Sequence, residues 1–262
     1  MNQKLISHEI PLALIDDHQD RISDYMYLLL HKMIEDPVYA QKAYDYKGMT
    51  YLDNSCFELG ASLDNDVLYE YCNKLNPTVV ILPDVLGDRK QTISRTFEFL
   101  DKYPHVSNYG MAVAQGSTPD ELIDCYAEFR DYRNEQELDL YMIAIPFVFS
   151  WVDRTPAAQA AARIELLELM DKRRIIDRSR RHHLLGTWQA QEFANYRKYD
   201  WVYSIDTSNP IMAAIDGERY NNMGLFHKPK STFDSVYDLT ESDIDMHLLY
   251  DNVETFRRIV NG

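Results

Sequence analysis

The chain reads as a single (β/α)8 barrel of the TIM type, spanning residues 1–262. Three observations predict it. Short apolar, β-branched runs recur along the whole length, each closing on a polar residue and followed by an amphipathic stretch; this is the pattern of a parallel sheet covered by helices. No Pro/Gly/Ser linker, low-complexity tract or composition break divides the sequence. The length suits one closed barrel, which typically takes about 250 residues, and 45% hydrophobic residues supply its core.

In chain order the runs are PLALID (11–16), MTYLDNS (49–55), TVVILPDV (78–85), YGMAVAQGS (109–117), LYMIAIPF (140–147), HHLLGTW (182–188), WVYSIDTSN (201–209) and GLFHK (224–228). Eight runs suit a closed barrel, where six would suit an open doubly wound sheet. The count rests on the first and last, whose strand pattern is weakest. Between the runs lie helical patterns. Residues 119–132 (PDELIDCYAEFRDY) carry acids in the first turn, with Ser117 or Thr118 as N-cap. Residues 156–176 are rich in Ala, Leu and Glu. No G-x-G-x-x-G or P-loop follows any run, against a nucleotide-cofactor fold.

Composition narrows the function classes. Cys56, Cys72 and Cys125 are far apart with no C-x-x-C pair, so they read as buried thiols, and neither a disulfide framework nor a thiolate metal site is expected. No apolar run is long enough for a membrane span, and the N-terminus lacks a signal-peptide pattern, so a cytoplasmic protein is expected. The net charge is −15. Holding a polyanion then requires a local basic patch or a partner that supplies one. Two segments are basic. The six Lys/Arg of 171–183 precede the sixth run, at the end of the barrel away from its mouth, and read as a solvated helix end. Lys228 and Lys230 follow the last run, where phosphate contact and plain surface are equally open readings. His182 and His183 adjoin on a strand, so one of them enters the barrel. With no further ligand at metal spacing, no metal role is expected.

In a parallel barrel the loops after the strands converge on one mouth. The runs end in Asp53 with Asn54, in Asp84, in Gln115 with Gly116, and in Asp206. A lone Asp after a strand is usually a cap or turn former, the reading given to Asp88 and Asp216. Several strand-end carboxylates in one pocket are different, because like charges push their pKa values apart and leave one as a base and another as an acid. Two carboxylates suit glycoside chemistry, one attacking an anomeric carbon and the other moving a proton. An Asp and a Gln suit an amide-like edge such as that of guanine.

The segments LDNSCFELG (52–60), PDV (83–85), AVAQGS (112–117), HHLLG (182–186) and IDTSNP (205–210) resemble, in order and approximate spacing, the motifs of the guanine transglycosylase family. These are D-S-G-G-F-Q, a strand-end Asp, V-Q-G, H-Y-L-M-G and a later D-x-x-x-P-T-R-like segment. The resemblance covers residues 52–210. It implies that Asp206 attacks C1′ of the target nucleoside, that Asp53 handles the proton of the departing or incoming base, and that Asp84 and Gln115 read the guanine edge. Asn54 adjoins this set, Gly116 lets the backbone approach, and Phe57 and Leu185 sandwich the purine. It implies base exchange, without metal or diffusible cofactor, between a nucleic acid and a free 7-deazaguanine. The departures are specific. Ser55 and Cys56 stand for the paired glycines, Glu58 for the Gln, Ile145-Pro146-Phe147 for a V-G-E, and Ser208-Asn209-Pro210 for P-T-R. The zinc subdomain of the tRNA-acting enzymes is missing, which favours DNA over tRNA as the substrate. A hydrolase on the same barrel, or a non-catalytic base-binding subunit completed by a partner protein or a second copy, are the alternatives.

Overall fold

The computed structural model describes residues 3–133, 139–187 and 190–262. Eight strands follow one another as β1 (Leu5–Ser7), β2 (Met26–Leu29), β3 (Thr50–Asp53), β4 (Val79–Ile81), β5 (Gly110–Val113), β6 (Met142–Ile145), β7 (Arg181–Leu184) and β8 (Val202–Asp206). All pair in parallel, in the order β1-β8-β7-β6-β5-β4-β3-β2. This is a nearly closed (β/α)8 barrel. Helices between the strands pack outside it, as parallel neighbours require a crossover connection. Among the described residues no helix is long and apolar enough to cross a membrane.

Six predicted runs contain a strand, and two do not. PLALID forms a tight turn over Leu12–Leu14 that leads into the helix Ile15–Ile22, with Leu14 and Ile15 buried against the core. GLFHK forms no strand and leaves Phe226 exposed. The strands that make up the eight are β1 and β2, both upstream of the second predicted run. Of HHLLGTW, Trp188 lies outside the described residues. The helix expected over 119–132 is Pro119–Asp131, with Thr118 Oγ1 accepting from Glu121 N at 3.2 Å. The one expected to reach 176 stops at Lys172, followed by Arg174 in a left-handed turn.

Alternation along the strands divides the apolar side chains into two layers. Tyr25, Tyr27, Leu29, Tyr51, Val79, Ile81, Met111, Val113, Met142 and Ala144 fill the barrel interior, and a larger cluster lies between barrel and helices. Tyr25 and Tyr51 stack at 4.0 Å inside the barrel, and the Tyr25 hydroxyl donates to Ile205 O at 2.7 Å.

The seam between β1 and β2 is not a regular ladder. It is held by Asp24 N to Ile6 O at 2.7 Å and by side chains: Asp24 Oδ2 accepts from Ile6 N at 2.8 Å, Ser7 Oγ donates to Tyr25 O at 2.6 Å, and Ser23 Oγ accepts from His8 N at 2.9 Å. The two ends of the chain clasp each other. Asn261 Oδ1 accepts from Lys4 N at 2.9 Å, and Asn261 Nδ2 donates to Lys4 O at 3.1 Å.

Candidate active site

The loops after all eight strands contribute to one cavity of about 300 Å³ at the C-terminal mouth. That volume is at the small end of ligand sites, which run roughly from 300 to 1,000 Å³. Its polar lining includes Glu9 after β1, His31 after β2, Asp53, Asn54 and Glu58 at and after β3, Asp84 after β4, Gln115 after β5, Thr187 after β7, and Asp206 with Asn209 at and after β8. Phe57, Phe147, Leu185 and Phe233 supply apolar wall, and Lys228 and Asp234 come from the segment beyond β8.

Asp206, the last residue of β8, is held on one side only. Its Oδ1 accepts from Gly186 N at 2.9 Å and from His183 Nε2 at 2.9 Å. Among the described residues Oδ2 has no hydrogen-bond partner. Of the two adjoining histidines, His183 enters the barrel and His182 faces the helix layer, where its Nε2 lies 2.8 Å from the Tyr126 hydroxyl. Because a carboxylate only accepts, His183 carries its hydrogen on Nε2. Its Nδ1 meets Ser204 Oγ at 2.8 Å, and that hydroxyl accepts from Tyr51 at 3.3 Å. A polar column inside the barrel thus stands beneath the carboxylate. Gly186 has φ +59°, and a Cβ there would meet the Phe147 ring at 2.5 Å, so this residue must be glycine both for its backbone and for its neighbour.

The loop carrying Gly186 is fixed from behind. Arg163, fully buried on the helix Pro156–Lys172, pairs with buried Glu192 and donates to Leu185 O at 2.6 Å, to Gly186 O and to the Tyr196 hydroxyl at 2.8 Å. A buried guanidinium is tolerated only with a carboxylate and enough acceptors around it. Here those acceptors are the backbone of the site.

Asp53 closes β3 and is tied at both oxygens. Oδ2 accepts from the Tyr27 hydroxyl at 2.5 Å, and Oδ1 accepts from Ser55 N at 2.5 Å. Burial pushes its carboxyl well above the usual range, Glu58 adds to the rise, and the two hydrogen bonds pull the other way. Ser55 occupies the left-handed region at φ 60°. A serine is held there because its hydroxyl accepts from His31 N at 3.1 Å and lies 2.9 Å from His31 Nδ1.

Asp84, Asn54 and Gln115 form a buried triad on the cavity floor. Asp84 accepts from Asn54 Nδ2 at 2.9 Å and from Gln115 Nε2 at 2.8 Å, while Gln115 Oε1 accepts from Gly87 N at 3.0 Å. Burial raises the Asp84 carboxyl, and the two amide hydrogen bonds offset part of the rise. Phe57 stands half exposed at the rim with its ring centroid 5.0 Å from that of Phe147. Leu185 lines the wall. Gly116 is not part of the lining. A Cβ there would lie 2.4 Å from Leu122 N, so its missing side chain serves the close approach of the helix Pro119–Asp131.

Sequence reasoning missed Glu9, Tyr27 and His31, because the strands that carry them were not recognised. Glu9 is half-buried, and burial pushes its carboxyl well above the usual range, reinforced by Asp206, Glu58, Asp53 and Asp234. Outside the site, Asp88 caps the helix Arg89–Lys102 through Gln91 N at 3.0 Å. Asp216 instead ties down the loop at Ser231, accepting from its hydroxyl at 2.6 Å. Lys230 is not part of the lining. In the basic segment before β7, Arg178 pairs with Asp171 and Asp200, and Arg181 stacks over Tyr141 and Tyr203. This places the segment at the opposite end of the barrel from the cavity. All three cysteines are buried and free. Among the described residues no group of three or more His, Cys, Asp and Glu side chains is arranged to hold a metal ion. The chain matches no protein-family model and no curated protein.

Proposed function

We propose that this barrel exchanges the base of a nucleoside unit in the manner of the guanine transglycosylases, through an ester between Asp206 and C1′. The observation that carries the reading is the asymmetry of Asp206: one oxygen is anchored by Gly186 and His183, and the other has no partner among the described residues, in a cavity lined by carboxylates of raised pKa. A nucleophile needs one free oxygen held in place, and proton transfer needs a neighbouring carboxyl that is still protonated.

In the first half-reaction Asp206 Oδ2 bonds to C1′ while the C1′–N9 bond breaks. The departing guanine takes the bond's electron pair and a proton from an acidic group of the site. In the second half-reaction the incoming 7-deazaguanine gives up its N9 proton and attacks C1′, and the carboxylate of Asp206 is released. The Asp84–Asn54–Gln115 triad offers the donors and acceptors that a guanine edge requires, and Phe57 with Phe147 offers the flat apolar contact. The nucleic acid presents its guanine unpaired or flipped out, because C1′ of a stacked nucleotide is hard to reach. DNA is the polymer we favour, with tRNA as the alternative that the assay below separates. With a net charge of −15, a partner protein supplies the basic surface.

Incubating the protein with labelled guanine and, separately, tRNA, duplex DNA and single-stranded DNA tests this. Label enters one polymer and is lost by at least 1,000-fold, about 4 kcal/mol, in Asp206→Asn. Guanine released without incorporation makes the protein a hydrolase of the same mechanism. Neither release nor incorporation, with tight binding of the free base, overturns the reading in favour of a base-binding subunit.

A further inference from the structure

We infer that Glu9, on the loop after β1, is the residue that gives the proton to the departing base and takes it back from the incoming one, with Asp53 in a positioning role. The inference rests on the base-exchange reading above and goes beyond what the motifs imply.

The geometry begins with register. Ser7 of β1 pairs with Asp206 of β8, and Thr207 N donates to Ser7 O at 3.0 Å. Side chains alternate along an extended chain, so Ser7 points into the barrel and Glu9 into the mouth above it, while His8 points away. His8 fixes that alternation. Its ring Nδ1 donates to Thr207 O at 2.8 Å, and its edge packs on Phe256 at 5.5 Å. Glu9 therefore stands one pleat above Asp206 on the adjacent strand, inside the cavity.

The other carboxylates of the cavity are committed, except Glu58, which stands exposed on the helix Cys56–Leu59. Asp53 spends both oxygens on Tyr27 and Ser55, and Asp84 spends both on Asn54 and Gln115. Asp234 pairs with Lys32 at 3.0 Å. Asp206 is anchored as the nucleophile. Among the described residues, none donates a hydrogen bond to the Glu9 side chain or accepts one from it. Its titratable surroundings are Asp206 of β8, Asp53 and Glu58 from the β3 loop, Asp234 from the helix Phe233–Val236, and Tyr27 and Tyr39 from β2 and the helix Pro37–Asp45. Burial and the four carboxylates all push its pKa up, which favours its protonated form. In the first half-reaction the Glu9 O–H bond breaks, its proton goes to the base, and the C1′–N9 electron pair stays on the base. In the second, the Glu9 carboxylate takes the N9 proton of the incoming base and the starting state returns. Asp53 meanwhile holds the Tyr27 hydroxyl and the strained turn at Ser55.

The test compares release of guanine with release of 7-methylguanine from otherwise identical substrates. The methylated base is already cationic and leaves without a proton. Glu9→Gln is expected to lose guanine release by about 100-fold or more yet to keep 7-methylguanine release within a few-fold. Asp206→Asn loses both, and Asp53→Asn slows both alike. For the wild type, guanine release falls as pH rises through the titration of Glu9, and this limb is absent in Glu9→Gln. An infrared carboxylic-acid band at neutral pH, lost in Glu9→Gln, gives a readout independent of turnover. Glu9→Gln affecting both substrates equally, or neither, overturns the assignment, as does a guanine-selective loss in Asp53→Asn or a missing infrared band in an active enzyme. A wild-type protein that releases neither base overturns the base-exchange reading itself, and this role with it.

Discussion

At the scale of single residues, the site combines one carboxylate anchored through a single oxygen with others whose charge is costly. Asp53, Asp84 and Glu9 all titrate above their ordinary range because burial disfavours the anion, with like charges adding to this at Glu9 and Asp53. The sign of the pH dependence follows. The folded chain keeps protons that the unfolded chain releases above pH of about 4. The stability these groups contribute is complete below that pH and is lost as pH rises through their folded values. Replacing Glu9 by Gln removes one of these ionisations. The variant should therefore melt higher than the wild type at pH 7–8, by on the order of 1 kcal/mol or about 2–4 °C for a chain of this size. The gap should close near pH 4. Thermal unfolding across that range checks it, and a Glu9→Gln protein less stable at neutral pH would contradict the burial argument. The cost of carrying such a carboxylate is the usual trade at a working site, where stability is given up for reactivity.

At the scale of elements, the βα units show what could be read from the sequence and what could not. Strands β3 to β8 announce themselves, because each falls in a short run that closes on a polar residue and a turn. The strand-end Asp53, Asp84, Gln115 and Asp206 came with them, and all four line one cavity. β1 is the short Leu5-Ile6-Ser7 between polar neighbours, without the continuous apolar run that marks the equally short β4. β2 runs without a break into the helix Leu30–Glu35, so DYMYLLLHKMIED shows one apolar stretch where the chain makes two elements. PLALID looks like a strand because buried helix residues and buried strand residues are chemically alike over so few positions. The loss of β1 hid Glu9, the acidic residue nearest in register to Asp206. Nor could the sequence show that Gly116 serves helix packing, since only the approach of Leu122 N reveals it. One element-scale support is testable. Arg163→Met leaves Glu192 buried without its cation and frees the Leu185–Thr187 loop, so stability should drop by about 3–5 kcal/mol. Chemical denaturation measures that drop. A variant of unchanged stability would mean that the pair is dispensable to the fold.

At the scale of the whole molecule, the dominant fact is an excess of acid. A net charge of −15 makes the folded state repel itself. Raising salt from 0.1 M to 1 M shortens the screening length from about 10 Å to about 3 Å. The melting temperature should therefore climb with sodium chloride at neutral pH, and a fall would show that surface ion pairs such as Arg219–Asp251 outweigh the net repulsion. In the base-exchange reading proposed above, the same excess means that a polyanion needs help to approach the mouth. The architecture also has a property that its linear order conceals. Because Asn261 clasps Lys4, the segments that open and close the described fold lie side by side at the last turn of a ring of units. A short peptide joining them would make the polypeptide circular without bending any strand, and new ends could be cut at the exposed turn around Arg174, away from the cavity. In such a permutant Glu9 and Asp206, now separated by about three quarters of the sequence, would sit on consecutive units of one continuous segment.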